Sequence, residues 1–416
     1  MITDFNLATY GYPFQIWRHR RLLARAESWN WEQLREYQDR RLRDLVQYAC
    51  AHVPYYRDLF RANGLKPEDI RGAADLNRVP ILTKDIVREQ AARLRSDEFE
   101  SLRPLPVRTS GSTGTPLQCY ADRHVAAAKF ATFWRVWNWA GYRLGQRWAL
   151  IAGPVFEDGS RFKHLRAMNA LYISSFRLGS DTAAPILEAL VKFRPVFLRG
   201  YPSALCEFAR LAAPLGDLKS LGIRAISTNS ETLLDFQRDH LQAAFGCRVF
   251  DVYSQWEQVC VIADCERQTR HHQMEYGVLE LLDEQGVRID GPGRTGEVVA
   301  TGLVNRAMPL IRYQTRDLAR FGSTPCPCGR AHTVVEQIDG RIEDAVLTPE
   351  GRRIGRLDAA FKHNEGFDSA QIVQEEAGAI RVRLVRNSRL RNGDLLTLEK
   401  HLRDRVGPGL KIQFEF

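Results

Sequence analysis

Between residues 14 and 62, apolar side chains recur at helical spacing among many charges, as at Leu34, Leu42, Leu45, Val46 and Tyr48. A 3.6-residue period on a polar background predicts amphipathic helices that bury one stripe. From about residue 104 the pattern shortens. Runs such as RWALIAGPVF, PVFLRGYPSAL, IRAISTNSET and CRVFDVYSQWE are brief, apolar and bounded by Gly or Pro, and each reads as a strand opening into a turn or helix. Their alternation with helical stretches predicts an α/β domain. The segment DGRIEDAVLTPEGRR, 339–353, is charged and turn-rich; beyond it AQIVQEE, AIRVRLVR and LKIQFEF read as strands and LLTLEKHLRDRV as a helix. The expected architecture is therefore α/β, with a large multi-sheet N-terminal domain over 1–340, opened by a helical leader over 1–100, and a small α+β C-terminal lid over 341–416.

Composition narrows the class. Apolar residues at 44% and aromatics at 10% are enough to close an interior, which excludes a disordered, collagenous or coiled-coil chain. No apolar run reaches the roughly 18 to 20 residues of a bilayer span, and Asp4 stands where a signal peptide would carry basic residues. A cytoplasmic protein with no membrane partner is expected. The 59 basic and 50 acidic residues leave a net charge of +9, which favours anionic ligands without separating nucleic acid from a nucleotide or coenzyme A. No nucleic-acid motif accompanies the charge, so no nucleic-acid partner is expected. The basic cluster Arg18, Arg20, Arg21 and Arg25 reads as a solvated helix face, because arginine abounds elsewhere in the chain. Eight cysteines in a chain without an export signal argue for reduced thiols or a metal site rather than a disulfide framework.

The strongest local signal is the loop Arg108-Thr109-Ser110-Gly111-Ser112-Thr113-Gly114-Thr115-Pro116, which follows the strand-like LRPLPVR. Phosphate oxygens need close backbone N–H groups and small hydroxyl donors, and this loop offers both. It lacks the lysine of a Walker loop, which disfavours a P-loop nucleotidase. Standing alone it is equally a plain Ser/Gly turn.

The spelling T-S-G-S-T-G-T-P resembles the phosphate loop of the adenylate-forming superfamily of acyl-CoA synthetases, adenylation domains and luciferases. Downstream, and in that family's order, Asp251-Val252-Tyr253-Ser254-Gln255-Trp256-Glu257 resembles its aromatic-to-glutamate motif. Pro309-Leu310-Ile311-Arg312-Tyr313-Gln314-Thr315-Arg316-Asp317 resembles its ribose motif, and Gly340-Arg341-Ile342-Glu343-Asp344 its hinge. The segment VPYYRDLFRANGLKPEDIRGAADLNRVPILTKDIV, 53–87, and Cys326-Pro327-Cys328-Gly329-Arg330 are similar to signatures of the phenylacetate-CoA ligase and coenzyme F390 synthetase branch.

The resemblance implies a site. Thr109, Ser110, Gly111, Ser112, Thr113, Gly114 and Thr115 would cradle the phosphates of Mg-ATP, and Glu257, a hard oxygen ligand, would help bind the magnesium. Tyr253 would stack on adenine beside Asp251, while Asp317 would accept hydrogen bonds from the ribose hydroxyls. Arg341 would act as a catalytic cation near ribose or phosphate. Ser227-Thr228-Asn229-Ser230-Glu231 resembles the adenine-side loop, which places Ser230 and Glu231 at the nucleotide. Arg199-Gly200-Tyr201-Pro202-Ser203 resembles the strand end beneath the acyl site, whose pocket would draw on Tyr201, Ser227, Ser254 and Trp134. Trp134 belongs to the aromatic stretch Phe130, Phe133, Trp134, Trp137 and Trp139, which has helical spacing and is otherwise ordinary core. Metal-containing relatives with CPCGR imply Cys265, His271, Cys326 and Cys328 as ligands of a structural zinc; the alternative is free thiols.

Three departures bear on activity. Trp256 stands where the family usually has a small hydroxyl residue, and Arg316 where it usually has glycine. The family's C-terminal lysine has no evident counterpart, since the late lysines are Lys362, Lys400 and Lys411 and the lid reads as shortened. The reading that follows is activation of an aromatic carboxylic acid as an acyl-adenylate, followed by transfer to coenzyme A or another acceptor. Such shortened members are associated with tailoring aromatic natural products such as phenazine-type antibiotics and with polysaccharide gene clusters, and homodimers are common in this branch. The rival reading is a catalytically degenerate member that binds nucleotide or aryl acid and acts with a partner.

Overall fold

The computed structural model describes residues 13–108, 117–153, 156, 159–342, 346–349, 353–354, 357–361, 366–376, 378–407 and 409–416. The chain divides into two compact units, one comprising residues up to 315 with 319–338, the other comprising 316–318 with 339–416.

The first unit opens with helices α1 (Pro13–Ala26), α2 (Trp31–His52) and α3 (Pro54–Ala62), then the short α4 (Lys84–Glu89) and α5 (Phe99–Leu102). Asn30 caps α2 by a reciprocal box with Gln33, its side chain accepting from the Gln33 N–H at 2.9 Å. The hairpin β1 (Leu105–Arg108) and β2 (Gln118–Ala121) follows, closed at the pair Arg108 and Gln118. Asp122 then caps α6 (Arg123–Trp139) by accepting from the N–H groups of His124 and Val125.

A twelve-stranded sheet among the described residues is built from β3 (Trp148–Ala152), β4 (Phe162–Leu165), β5 (Ala170–Ser174), β6 (Phe197–Gly200), β7 (Ala225–Asn229), β8 (Arg248–Ser254), β9 (Val261–Asp264), β10 (Arg270–His272), β11 (Gly277–Leu282), β12 (Thr295–Gly302), β13 (Tyr313–Phe321) and β14 (Val334–Arg341). Its order is 11-12-13-14-10-9-8-7-6-3-5-4. Strands β5, β3, β6, β7 and β8 run parallel, and the flanks are antiparallel. Helices α7 (Ala183–Phe193), α8 (Pro202–Ala212) and α9 (Asp235–Phe245) are the crossovers.

The period of two along a strand sends alternate residues to opposite faces, which explains why the parallel strands are apolar throughout. Trp148, Leu150 and Ala152 of β3 join the cluster under α6 with Phe130, Phe133 and Trp137. Ala149 and Ile151 join the opposite cluster with Ile186, Leu205 and Phe208 of α7 and α8. The antiparallel half is covered by the leader, where Leu42, Val46, Tyr56 and Phe60 pack with Leu281, Val298 and Ala300. The large sheet covered on both faces fits the α/β class read from the pattern.

The second unit has the hairpin β15 (Val346–Leu347) and β16 (Arg353–Ile354), then β17 (Phe367–Val373) antiparallel to β18 (Ala379–Arg386), which is parallel to β19 (Lys411–Glu415). Helix α10 (Asp394–Val406) sets Leu398, Leu402 and Val406 against Ile380, Val382 and Leu384 of β18. No helix among the described residues is long and apolar enough to cross a membrane.

Candidate functional site

The parallel register fixes the site. Gly200 of β6 pairs with Thr228 of β7, and Asn229 pairs with Val252 of β8, so the carboxyl ends of three neighbouring strands open side by side. In open α/β sheets that edge is where ligands bind. Gly200 is required there, because a Cβ would come within 2.2 Å of the Ile151 carbonyl oxygen on β3. Tyr201 follows as the residue before α8. Beyond β7, Ser230 is exposed and left-handed with φ of 70°, a conformation costing about 1 to 3 kcal/mol in a non-glycine residue.

Beyond β8 the chain turns over residues 255–257, and the turn is pinned on both sides. Glu257 is buried and its Oε1 accepts a hydrogen bond from the Tyr313 hydroxyl at 2.7 Å. Gln258, left-handed with φ of 60°, accepts from the Tyr276 hydroxyl at 2.9 Å. Tyr253 and Ser254 are half-buried at the strand end, and Trp256 is exposed. A fixed carboxylate suits a divalent cation, and a half-buried phenol at a strand end suits a flat ring.

Three expected positions have other work. The Asp251 carboxyl is interior: the Thr228 hydroxyl donates to it at 2.7 Å, and its own N–H donates to Asp264 at 2.9 Å. Burial, then the neighbouring Asp264 charge, pushes its pKa up to about 6. This corrects the expectation of a nucleotide contact, since the group braces β7, β8 and β9 from within. Glu231 receives the Ser203 N–H and hydroxyl at 3.1 and 2.9 Å and so caps α8. The Trp134 ring is buried, with the Arg20 guanidinium 3.9 Å from its centroid, so α1 covers it. Ser227 is buried within β7. In the second unit Arg341 forms an ion pair with Asp317 at 3.2 Å. Arg316 keeps a left-handed φ of 68°, the conformation a glycine would supply. Lys400 lies within α10 and Lys411 opens β19. Thr109, Ser110, Gly111, Ser112, Thr113, Gly114 and Thr115 lie outside the described residues, as do Lys362 and the hinge acids Glu343 and Asp344.

On the other side of β9 the donor atoms of Cys265, His271, Cys326 and Cys328 all lie within 4.8 Å of one another. The Cys265 and Cys326 sulfurs are 3.9 Å apart, and Cys328 Sγ is 3.4 Å from His271 Nε2. Around a tetrahedral zinc, bonds of about 2.3 Å to sulfur and 2.0 Å to nitrogen give edges of roughly 3.5 to 3.8 Å, so this donor set fits that ion. His271 Nδ1 faces the His332 carbonyl oxygen at 3.2 Å, which points Nε2 at the cluster. The shell behind it is dense. His332 Nε2 meets Glu275 at 3.1 Å, and Arg135 of α6 donates to Glu275 at 2.6 Å. Burial opposes ionisation of Glu275, but Arg135 and His332 hold its carboxyl well below the usual range. Arg330, two residues past Cys328, donates to Glu27 at 2.8 Å and Glu266 at 2.7 Å, and its guanidinium stacks 4.3 Å from the Trp139 centroid.

Sequence reading missed Tyr313 as the partner of Glu257, although it lies in the quoted ribose motif, and it missed Glu275, Arg135 and His332. The only sequence signal for the last was a histidine just past CPCGR.

Comparison with known proteins bears on the fold and on the chain's relatives. A 2-hydroxyisobutyryl-CoA ligase solved in the postadenylation state with R3-HIB-AMP superposes with a TM-score of 0.75 at 22% identity, covering 94% of this chain and 88% of that one. The fold is thus that of the adenylate-forming acyl-CoA ligases. Protein CapK of Staphylococcus aureus is 25% identical over 392 residues, 92% of this chain and 85% of the relative. The phenylacetate-coenzyme A ligase of Thermus thermophilus is 27% identical over 336 residues, 76% and 72% respectively. Residues 346–416 match the family model of the CapK C-terminal domain. The chain is thus a homologue of CapK and of the phenylacetate-CoA ligases.

Proposed function

We propose that this chain is an adenylate-forming ligase that activates a carboxylic acid with Mg-ATP and passes the acyl group to coenzyme A. The turn beyond β8 carries the reading, because it follows Tyr253 at the open end of the parallel strands and ends on the buried Glu257 carboxylate, which Tyr313 fixes. Bound there, the substrate carboxylate attacks the α-phosphate in line and pyrophosphate leaves. Glu257 would hold magnesium on the departing phosphates, and Tyr313 fixes the orientation of that carboxylate. Tyr253 would stack on adenine, Ser230 would rim the nucleotide, and Tyr201 and Ser254 would face the acid. Asp317 would take the ribose hydroxyls, with Arg341 held against it.

The acid we propose is aromatic, in keeping with the phenylacetate-CoA ligase relatives. Zinc held by Cys265, His271, Cys326 and Cys328 would be structural, since four protein ligands leave no open position. The deciding experiment is ATP–pyrophosphate exchange with phenylacetate, benzoates, anthranilate, phenazine carboxylates and 2-hydroxyisobutyrate. Exchange above a Glu257→Ala control, strongest with an aryl acid, is the expected result. Exchange with the aliphatic acid alone would overturn the aromatic assignment. The positions of Lys400 in a helix and Lys411 in a strand favour one rival, a binding module that acts with a partner. That rival predicts acid or nucleotide binding by calorimetry with no exchange at all.

A further inference from the structure

The arginine cluster of the leader takes no part in the site, and α1 gives it a definite side. Ile16 and Leu23 are buried, and Ile16 packs in the cluster that holds Phe130 and Trp134 of α6, so this side fastens the helix to the protein. Successive residues of a helix turn by about 100°, which brings Phe14, Trp17, Arg18, Arg21 and Arg25 into one sector of about 100° facing away from it. All five are exposed. Phe14 is 65% and Trp17 49% exposed, their rings lie 6.0 Å apart, and the Arg21 guanidinium is 4.8 Å from the Trp17 centroid. Helix α1 carries no acidic residue, and among the described residues no carboxylate pairs with Arg18, Arg21 or Arg25. Other exposed arginines of the leader are answered, Arg35 by Asp39, Arg61 by Asp58 and Arg78 by Asp69. Solvation alone accounts for three arginines in water, but it leaves two large rings bare at the end of the same stripe.

We propose that this face of α1 docks on the surface of an anionic lipid bilayer. The inference stands apart from the adenylation reading. Guanidinium groups stay charged at physiological pH and hydrogen-bond lipid phosphates, and each adds to the attraction of a negatively charged leaflet. Phe and Trp rings settle at headgroup depth, where apolar surface meets a wet, polar layer. Charge complementarity calls for an anionic partner, and the rings beside the charges call for one that also offers apolar depth. A lipid surface has both. The stripe from Phe14 to Arg25 runs about 16 Å along a helix ridge, which a soft, flat surface can meet over its whole length. The pocket beside α1 is lined by Arg20, Leu23 and Ala24, from other sides of the helix. The contact is peripheral, because α1 keeps its buried side on α6 and only the outward ridge enters the headgroup layer.

The test is cosedimentation of the full chain with vesicles of phosphatidylcholine alone and of phosphatidylcholine mixed with phosphatidylglycerol. Binding to the mixed vesicles only is expected at about 0.1 M salt, and its loss at about 1 M, where the Debye length falls to roughly 3 Å. The triple variant Arg18→Gln, Arg21→Gln, Arg25→Gln should weaken partition roughly 100-fold, at about fivefold for each arginine near the surface. Phe14→Gln with Trp17→Gln should weaken it at least tenfold. Both sets lie on an exposed face, so thermal melting should stay close to wild type. A control that removes the same charge from exposed positions elsewhere, Arg166→Gln, Lys192→Gln and Lys219→Gln, should lose less than threefold. Absence of wild-type binding to the mixed vesicles overturns the proposal. Equal weakening by the control overturns it too, since net charge alone would then suffice. Unchanged binding by either α1 variant does the same, as does capture of the chain by a single-stranded oligonucleotide where vesicles fail to bind it. Should the arginine variant not fold, the aromatic pair decides: a loss supports the proposal and an unchanged partition overturns it.

Discussion

The Cys/His cluster and the edge at Glu257 are both built where strands of one sheet end, yet they differ in how much of their charge is already answered. Around the cluster, Arg330 meets Glu27 and Glu266, Arg135 meets Glu275, and Glu275 meets His332. Every element touching it is braced by another. At the edge, Glu257 is fixed by one phenol, Ser230 stands exposed in a left-handed conformation, and Trp256 is open to solvent. On the proposed reading, the centre that serves the fold is closed by the protein itself, and the one that serves a reaction is held from behind and open in front.

The contrast breaks first if the cluster can be dismantled at no cost. Cys326→Ser with Cys328→Ser, or prolonged chelation, is expected to abolish stoichiometric zinc and lower the melting temperature by about 10 °C or more, because metal binding energy is folding energy. Metal analysis and calorimetry on the same samples check it. Glu257→Ala should do the reverse, cutting pyrophosphate exchange by about 3 to 4 kcal/mol in activation free energy while moving the melting temperature little. A large drop in melting temperature for Glu257→Ala would erase the distinction.

Asp251 sharpens the comparison from beneath the edge. Its folded pKa of about 6 lies above the ordinary 3.8, so the folded state holds the proton more tightly than the unfolded state does. Stability from this group is fully present below pH 4 and is lost as pH rises through 6, by about 3 kcal/mol. Asp251→Asn should remove that dependence. Urea midpoints at pH 4.5 and 7.5 are expected to show the variant gaining on wild type at the higher pH. The smallest expected effect is Arg316→Gly. It relieves a left-handed side chain at an offsetting entropic cost in the unfolded chain, for a change below about 1 kcal/mol in thermal melts.

What the sequence disclosed follows the range over which each signal acts. The alternation that makes β3 and β8, the helical period of α6 and the α+β pattern of the last 65 to 70 residues are local and could be read directly. Tyr253 and Glu257 could be proposed together because they stand four residues apart in one quoted motif. The bond from Tyr313 to Glu257 joins residues 56 apart, and that from Arg135 to Glu275 joins residues 140 apart. Such pairs depend on strand order and register, which periodicity does not encode. Asp251 misled for the same reason: adjacency to Tyr253 in the chain says nothing about Asp264, which the antiparallel β9 brings alongside.

Strand β10 is three residues long and joins the sheet's two halves, with three residue pairs to β9 and two to β14. Viewed as a fabric under tension, the sheet is narrowest along this seam, and it would tear there first. The cluster takes its donors from β10, from the end of β9 and from the loop before β14, which is to say from both banks of the seam. An ion held at that point would act as a rivet. Pulling apart the halves in a single-molecule experiment should then meet its highest rupture force at the thinnest part of the cloth.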